Sequence, residues 1–153
     1  MTPMTDKDWW DYMLDRPAPP KPSWDRTGLS MAKLIANDRS TCKRLKVGCI
    51  IMSSDHERVL GIGYNGNFKG GPNTCDRDEP GNCGCLHAEV NALVKAGSEV
   101  KDKIIYLTIS PCVQCAKLIV NSGASLVVYD EVYRDPQEAL AILEAAGIEA
   151  MEL

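Results

Sequence analysis

Two stretches decide the fold of this chain: HAEVNALVKAG at residues 87–97 and PCVQCAKLIVNSG at residues 111–123. Each predicts a helix, and each ends on a glycine, the residue that commonly follows a helix C-terminus. Between them, KIIYLTI at residues 103–109 is typical of a buried strand. Helices that alternate with such strands predict an α/β sheet covered by helices on both faces.

The rest of the chain extends this pattern in both directions. After Ser23, the spacing of Met31, Leu34 and Ile35 predicts an amphipathic helix, and Ala32 and Ala36 widen its apolar face. Further apolar runs predict strands at 47–52, 58–65, 125–130 and 148–153, a hairpin turn at 53–57 and a helix at 136–147. We therefore expect a single domain over residues 23–153.

An N-terminal arm precedes this domain at residues 1–22. It consists of a short predicted helix that carries Trp9, Trp10 and Tyr12, followed by the stiff Pro-rich linker RPAPPKP at residues 16–22. Three aromatic side chains are many to leave in water. Two alternatives stay open, since they could pack on the parent domain or on a neighbouring subunit.

Composition narrows the classes of function. The chain has 153 residues, of which 44% are hydrophobic and 25% charged, and its net charge is -4. This charge argues against nucleic acid or an anionic membrane as partner but permits a small phosphorylated substrate. We expect a cytoplasmic protein, because the sequence shows neither a signal peptide nor a membrane span. Seven cysteines in such a protein indicate metal binding or reactive thiols.

The PCVQC segment places Cys112 and Cys115 three residues apart, so both sulfurs face the same way on a helix. The free N–H groups and the dipole of a first helical turn stabilise thiolate, the form that binds zinc. A C-x-x-C segment alone could equally be a redox site or half of a structural zinc finger.

His87 and Glu89 are candidates for a third metal ligand and for a carboxylate that transfers protons. An isolated H-x-E is commonly an N-terminal histidine beside a carboxylate that the helix dipole favours. Here, however, two helix N-termini can converge on one ion and offer one nitrogen and two sulfurs. Three protein ligands with a fourth position free for water is the catalytic zinc arrangement. Glu89 is then the candidate catalytic residue that moves protons.

The order H-x-E followed by P-C-x-x-C is similar to the signature of zinc-dependent deaminases. Further segments resemble the deoxycytidylate deaminases over roughly residues 24–150, and they lie at 39–51, 61–67, 85–93, 107–124 and 127–135. This resemblance implies a three-layer cytidine-deaminase-like fold, with a central five-stranded mixed sheet and helices on both faces. It also implies hydrolysis of dCMP to dUMP and ammonia, which supplies thymidylate synthesis.

The resemblance also implies roles for individual residues. It makes His87, Cys112 and Cys115 the zinc ligands and Glu89 the proton shuttle. The substrate would meet Asn65 at the sugar, Tyr133 at the phosphate, and the backbone of Ala88, Ser110 and Pro111 at the pyrimidine. Lys46 is either a phosphate contact or simply solvated.

Assembly and regulation are implied in the same way. Members of the family are typically homohexamers that dCTP activates with Mg²⁺ and dTTP inhibits. The NFKGG segment at 67–71 departs from many relatives, which places the details of regulation in question. Lys95 and Ser98 lie where we expect a nucleotide contact.

A long loop from Gly66 to Cys85 is rich in Gly, Asn, Asp and Cys, and loops of this length are commonly functional. Some relatives hold a second, structural zinc in this region, and four thiolates could close a tetrahedral site. The candidates are Cys42, Cys75, Cys83 and Cys85, and the alternative is a set of reduced thiols. Cys49 is expected in the core, and His56 is expected to be exposed to solvent.

Other functions remain open at this point. A different zinc deaminase would act on free cytidine or deoxycytidine, or on adenosine in tRNA. A non-catalytic zinc-binding module would use four protein ligands and would leave Glu89 without a role. A redox protein would hold no metal and would form a Cys112–Cys115 disulfide.

Overall fold

The computed structural model describes residues 4–16 and 20–153. Its five strands are β1 (Gly48–Met52), β2 (Val59–Tyr64), β3 (Lys103–Ile109), β4 (Ala124–Glu131) and β5 (Glu149–Glu152). They form one sheet in the order β2-β1-β3-β4-β5. β1 is antiparallel to β2 and β3, whereas β3, β4 and β5 are parallel, so the predicted mixed sheet is confirmed.

Helices cover both faces of the sheet, and their bounds are α1 (Asp6–Leu14), α2 (Trp24–Arg39), α3 (Ala88–Ala96), α4 (Val113–Asn121) and α5 (Gln137–Ala145). Alternate strand residues face opposite layers. Ile50, Met52 and Tyr106 pack against α2. Cys49 and Ile51 belong to the larger core beneath α3, α4 and α5, so the expectation that Cys49 is a core residue is confirmed.

Helix α2 differs from the predicted helix in the face that it buries. Gly28, Leu29, Ala32 and Ala36 are buried, whereas Leu34 is 59% exposed, so its assignment to the core face was wrong. Small residues face the sheet because the helix lies very close to β1. At about 100° per residue, this orientation turns Leu34 toward solvent.

The β1–β2 turn corrects a second expectation, because His56 is not simply solvated. Its ring stacks on Trp24 with the centroids 5.5 Å apart. Its Nε2 lies 3.0 Å from the hydroxyl of the buried Tyr106, and that hydroxyl also donates to Asp25. These contacts tie the turn to the start of α2, a relationship between distant residues that local polarity does not reveal.

Two glycines in β2 determine how closely α3 approaches the sheet. A β-carbon on Gly63 would collide with the carbonyl oxygen of Ala88 and would lie 2.6 Å from the nitrogen of Ala92. A β-carbon on Gly61 would likewise collide with the carbonyl oxygen of Ala92, one turn further along α3. Only glycine leaves room for such contact between a helix and a strand. Since α3 begins at Ala88, these glycines also position the residues around its N-terminus.

The N-terminal arm forms α1 as predicted, with Thr5 as a capping-box residue. None of the α1 residues is buried, and Trp9 and Trp10 are 46% and 60% exposed. The aromatics therefore do not pack into the core of the sheet domain. Residues 17–19 of the predicted linker lie outside the described residues. Within the part of the chain that is described, no helix is both long and apolar enough to cross a membrane.

Candidate metal centre and substrate cavity

The first three residues of interest meet at the N-termini of α3 and α4. His87 and Cys112 are the N-caps of these helices and have extended backbone conformations. Both therefore flank their helices, and the expectation that Cys112 lies in the first helical turn was wrong. Neither side chain caps its own helix, so both project freely toward the other. Cys115 lies in the first turn of α4 and is buried.

The donor atoms of this centre have the spacing that zinc requires. His87 Nδ1 lies 3.6 Å from the sulfur of Cys112 and 3.4 Å from that of Cys115. Zn–N and Zn–S bonds of about 2.0 and 2.3 Å in a tetrahedron would place nitrogen and sulfur about 3.5 Å apart. The three residues fit one zinc ion, with one coordination position left to water or substrate.

Electrostatics in the centre favour ligation. Hydrogen bonds from Cys115 and His87 lower the pKa of Cys112 to about 3, so this thiol is ionised. Burial raises the pKa of Glu89, which lies in the first turn of α3 and is 4% exposed. A carboxyl group with a raised pKa can both accept and return a proton near neutral pH.

A cavity of about 400 Å³ opens onto this centre. That volume lies within the usual range of about 300–1,000 Å³ for small-molecule sites. Five of the six residues that we predicted at the substrate contribute to its walls, namely Asn65, Ala88, Ser110, Pro111 and Tyr133. The structure therefore brings together residues that are up to 68 positions apart in the chain, since 133 minus 65 is 68.

The Asn65 side chain is held in a fixed orientation at the cavity. Its Oδ1 accepts from the backbone N–H of Val47 at 2.8 Å and from the hydroxyl of Ser40 at 2.6 Å. Its Nδ2 donates to the carbonyl of Leu45 at 2.6 Å. Because an amide nitrogen has two N–H groups, one donor remains for a ligand. Asn65 can thus offer a hydrogen bond to an oxygen acceptor such as a sugar hydroxyl.

Ser110 positions the far wall of the cavity. Its hydroxyl accepts a hydrogen bond from the backbone N–H of Tyr133 at 2.9 Å, and its own N–H donates to the carbonyl of Glu131. Ser110 is buried, whereas Tyr133 is 37% exposed. The serine thus fixes the start of the segment after β4, and this segment presents the tyrosine to the cavity.

Lys46 is not brought to the cavity. Its Nζ donates to the carbonyl of Asn37 at 3.0 Å, which anchors it to the end of α2. Two arginines that we did not single out line the cavity instead, Arg44 and Arg134. The basic run CKRLK contained the first, but a run of cations does not reveal which member faces inward. The second directly follows Tyr133 and lies over its ring at 5.0 Å.

The remaining candidate cysteines form a second cluster beside the cavity. Cys42 Sγ lies 3.7 Å from that of Cys75 and 3.9 Å from that of Cys83, and Cys85 Sγ lies 3.6 Å from that of Cys75. Four sulfurs bonded at about 2.3 Å to one zinc would be about 3.8 Å apart. All four sulfurs lie within 4.8 Å of one another and none is in a disulfide, so they fit a closed four-thiolate site.

The first cluster gives this α/β domain a candidate metal site with three protein donors and one open position. The sequence model of the cytidine and deoxycytidylate deaminase zinc-binding region matches residues 22–131. The chain belongs to the cytidine and deoxycytidylate deaminase family.

Individual relatives agree with this assignment. A deoxycytidylate deaminase of Saccharomyces cerevisiae is 39% identical over 84% of this chain, and the match spans 44% of that protein. ComE operon protein 2 of Bacillus subtilis is 36% identical over 82% of this chain and 69% of its own length. The chain thus spans less than half of the yeast relative.

One solved structure is matched by this chain over its full length. The dCMP deaminase of the cyanophage S-TIM5, in complex with dCMP and dUMP, is 34% identical to this chain. The match has a TM-score of 0.75 and covers 88% of this chain and 100% of the phage chain. A second structure of the phage enzyme, in apo form, is 32% identical with a TM-score of 0.72.

Proposed function

We propose that this chain is a zinc-dependent deaminase that hydrolyses dCMP to dUMP and ammonia. The observation that carries the proposal is the placement of His87, Cys112 and Cys115 around one point, with the buried Glu89 beside it. The two relatives named for deoxycytidylate or dCMP deamination support the choice of substrate.

In the proposed reaction, zinc would activate the attacking water and Glu89 transfers the protons. Bound zinc would lower the pKa of a coordinated water toward about 7. Glu89 accepts a proton from the attacking water and passes it to the ring nitrogen of the pyrimidine. It then accepts the second proton of the former water, from the hydroxyl group now on the ring carbon, and delivers it to the departing amine, which leaves as ammonia. The carboxyl group thus ends in its starting state.

The cavity walls suit a pyrimidine nucleoside monophosphate. Ala88, Ser110 and Pro111 border the space next to the metal centre, where the base would lie. The free N–H of Asn65 is available to a sugar hydroxyl. Arg44 and Arg134 offer guanidinium groups, which recognise phosphate through paired hydrogen bonds. Tyr133 adds a phenol beside them.

Ammonia release from three substrates tests the proposal. The purified protein, with its zinc content measured, is incubated with dCMP, deoxycytidine and an RNA anticodon stem-loop. We expect turnover of dCMP and little or none of the other two, because only dCMP engages both the metal centre and the arginines. Turnover of deoxycytidine or the stem-loop in preference to dCMP would assign the chain to one of the alternative deaminases.

The four-thiol cluster completes the metal content that we propose. Its sulfur separations support a second, structural zinc held by Cys42, Cys75, Cys83 and Cys85. The proposal predicts two zinc ions per chain by elemental analysis of the purified protein. A single zinc ion would leave this cluster as reduced thiols.

Regulation and assembly form the last part of the proposal: a homohexamer that dCTP with Mg²⁺ activates and dTTP inhibits. Tyr64 lies shortly before the NFKGG segment at 67–71. The cations of Arg39 and Lys95 each lie 5.9 Å from the centroid of its ring. Such a group can hold a nucleotide base and phosphates. Light scattering and dCMP turnover with and without dTTP, dCTP and Mg²⁺ test this part.

A further inference from the structure

We propose that a metal ion in the four-thiol cluster positions the two cavity arginines, Arg44 and Arg134, and thereby sets the affinity for the substrate's phosphate group. This inference rests on the proposed function and assigns the cluster a role beyond stabilising the fold. It makes the four cysteines of the cluster positioning residues, because they act through the arginines.

The cluster joins two segments that are far apart in the chain. Cys42 lies in the segment that links α2 to β1, and the other three cysteines lie in the long loop between β2 and α3. Arg44 is two residues beyond Cys42. The backbone N–H of Lys43, between them, points at the sulfur of Cys75 at 3.4 Å. One metal ion would therefore fix the loop directly against the segment that carries the first arginine.

The part of the same loop between Cys75 and Cys83 contacts both arginines. Arg44 donates from its guanidinium to the carbonyl of Asp78 at 2.6 Å. The guanidinium of Arg134 lies against Gly81, where an added β-carbon would be 2.6 Å from one of its nitrogens. Residues 78–81 thus form a shared support for two cations that come from segments 90 positions apart, since 134 minus 44 is 90.

The loop has little else to hold this support in place. No residue from 67 to 85 is buried, and this range contains no helix or strand. Hydrogen bonds from Asp76 and Arg77 to the carbonyl of Cys83 close the loop on itself without attaching it to the sheet. Segments with so little buried apolar surface open at low free-energy cost. Metal–thiolate bonds would therefore be the main constraint on the loop, and metal binding would order it.

An ordered support lowers the cost of binding a phosphate group. If the loop is free, the two guanidinium groups must be fixed when the substrate binds, and that entropy reduces affinity. The catalytic centre does not share this dependence, because His87 and Cys112 are placed by α3 and α4 against the sheet. Loss of the second metal should therefore raise KM for dCMP while the catalytic zinc is retained.

The test uses a ligand that lies outside the cavity walls. Cys75→Ser removes one of four sulfurs, Cys75→His restores a ligand that zinc accepts in structural sites, and Thr74→Ala is the control at the neighbouring position. We expect zinc to fall from two ions to one only in Cys75→Ser, with KM for dCMP at least tenfold higher. Trypsin should then cleave after the exposed Arg77 in this variant alone.

A mutant cycle tests the connection to the arginines. If the cluster acts through them, Cys75→Ser adds less than a twofold change in KM when Arg44→Ala and Arg134→Ala are both already present. Independent, multiplying effects would overturn the proposal, as would one zinc ion in the wild type or loss of the second zinc without a change in KM. A wild type with two zinc ions and zinc-dependent trypsin resistance but no dCMP turnover would reject the proposed function instead.

Discussion

His87 and Cys112 occupy equivalent positions on two different helices, since each is the N-cap residue, and their Nδ1 and Sγ atoms lie 3.6 Å apart. Helix N-termini carry partial positive charge, which stabilises thiolate at Cys112. The sheet holds the two helices side by side, so the proposed zinc ligands converge without long or flexible side chains.

Glu89→Gln tests the proton shuttle. The amide is close in size to the carboxyl group but cannot accept and return a proton. We expect kcat for dCMP to fall by about 10²–10⁴-fold, the usual contribution of general acid–base catalysis. Zinc content, measured by elemental analysis, should stay at the wild-type value because Glu89 is not among the ligand set. Full activity in this variant would contradict the mechanism.

Gly63→Ala tests the close contact between β2 and α3. The added methyl group collides with the Ala88 carbonyl, so α3 must shift outward together with Glu89. We expect a loss of about 1–3 kcal/mol of unfolding free energy, as for other overpacked sites, and a lower kcat. Urea denaturation measures the first. Ile62→Ala, at the exposed neighbouring position, is the control and should change stability much less.

Arg44→Ala tests phosphate recognition by the cavity. Removing this guanidinium should raise KM for dCMP at least tenfold, because a charge-assisted bond contributes about 1.5–3 kcal/mol. Lys46→Ala is the matched control, since it removes a cation two residues away that is bound to Asn37 outside the cavity. Equal effects of the two substitutions on KM would show that general charge, rather than a specific contact, attracts the substrate.

Lys103→Met tests a fully buried cation. Its Nζ donates to the carbonyls of Val100 and Ser122, and a methionine would leave both without this donor. We expect a loss of about 1–3 kcal/mol of unfolding free energy at pH 7 in urea denaturation. The stability of Lys103→Ala should fall further, because a cavity is added.

The same residue predicts a pH dependence. Burial lowers the pKa of Lys103 from its ordinary value of 10.5, so the unfolded chain binds more protons between the folded pKa and 10.5. Unfolding free energy therefore rises with pH in that window. The difference between the wild type and Lys103→Met should accordingly grow as pH increases. A constant difference across this window would mean that the pKa is not lowered in the folded state.

Deletion of residues 1–16 tests the arm. Because none of the α1 residues is buried, the monomer should keep its unfolding free energy. If Trp9 and Trp10 pack on a neighbouring subunit, light scattering should show a smaller assembly after deletion. An unchanged assembly with lower unfolding free energy would instead place the arm on its own domain.

The sequence alone determined which helices and strands carry the candidate metal site, and which donor atoms that site offers. His87 and Cys112 could be assigned to neighbouring helix starts because local patterns set where helices begin, and the predicted span of β3 agrees with its observed bounds. The same patterns predicted Cys49 in the core, since apolar runs in strands report burial.

Only the tertiary structure decided which cations reach the cavity and how the long loop closes. Lys46 and Arg44 are both in one basic run, and their directions depend on hydrogen bonds to Asn37 and Asp78 in other segments. Likewise, Leu34 is exposed because Ala32 lies against Gly48. The hydrophobic periodicity of the sequence cannot predict such contacts, because they arise only when distant parts of the chain pack together.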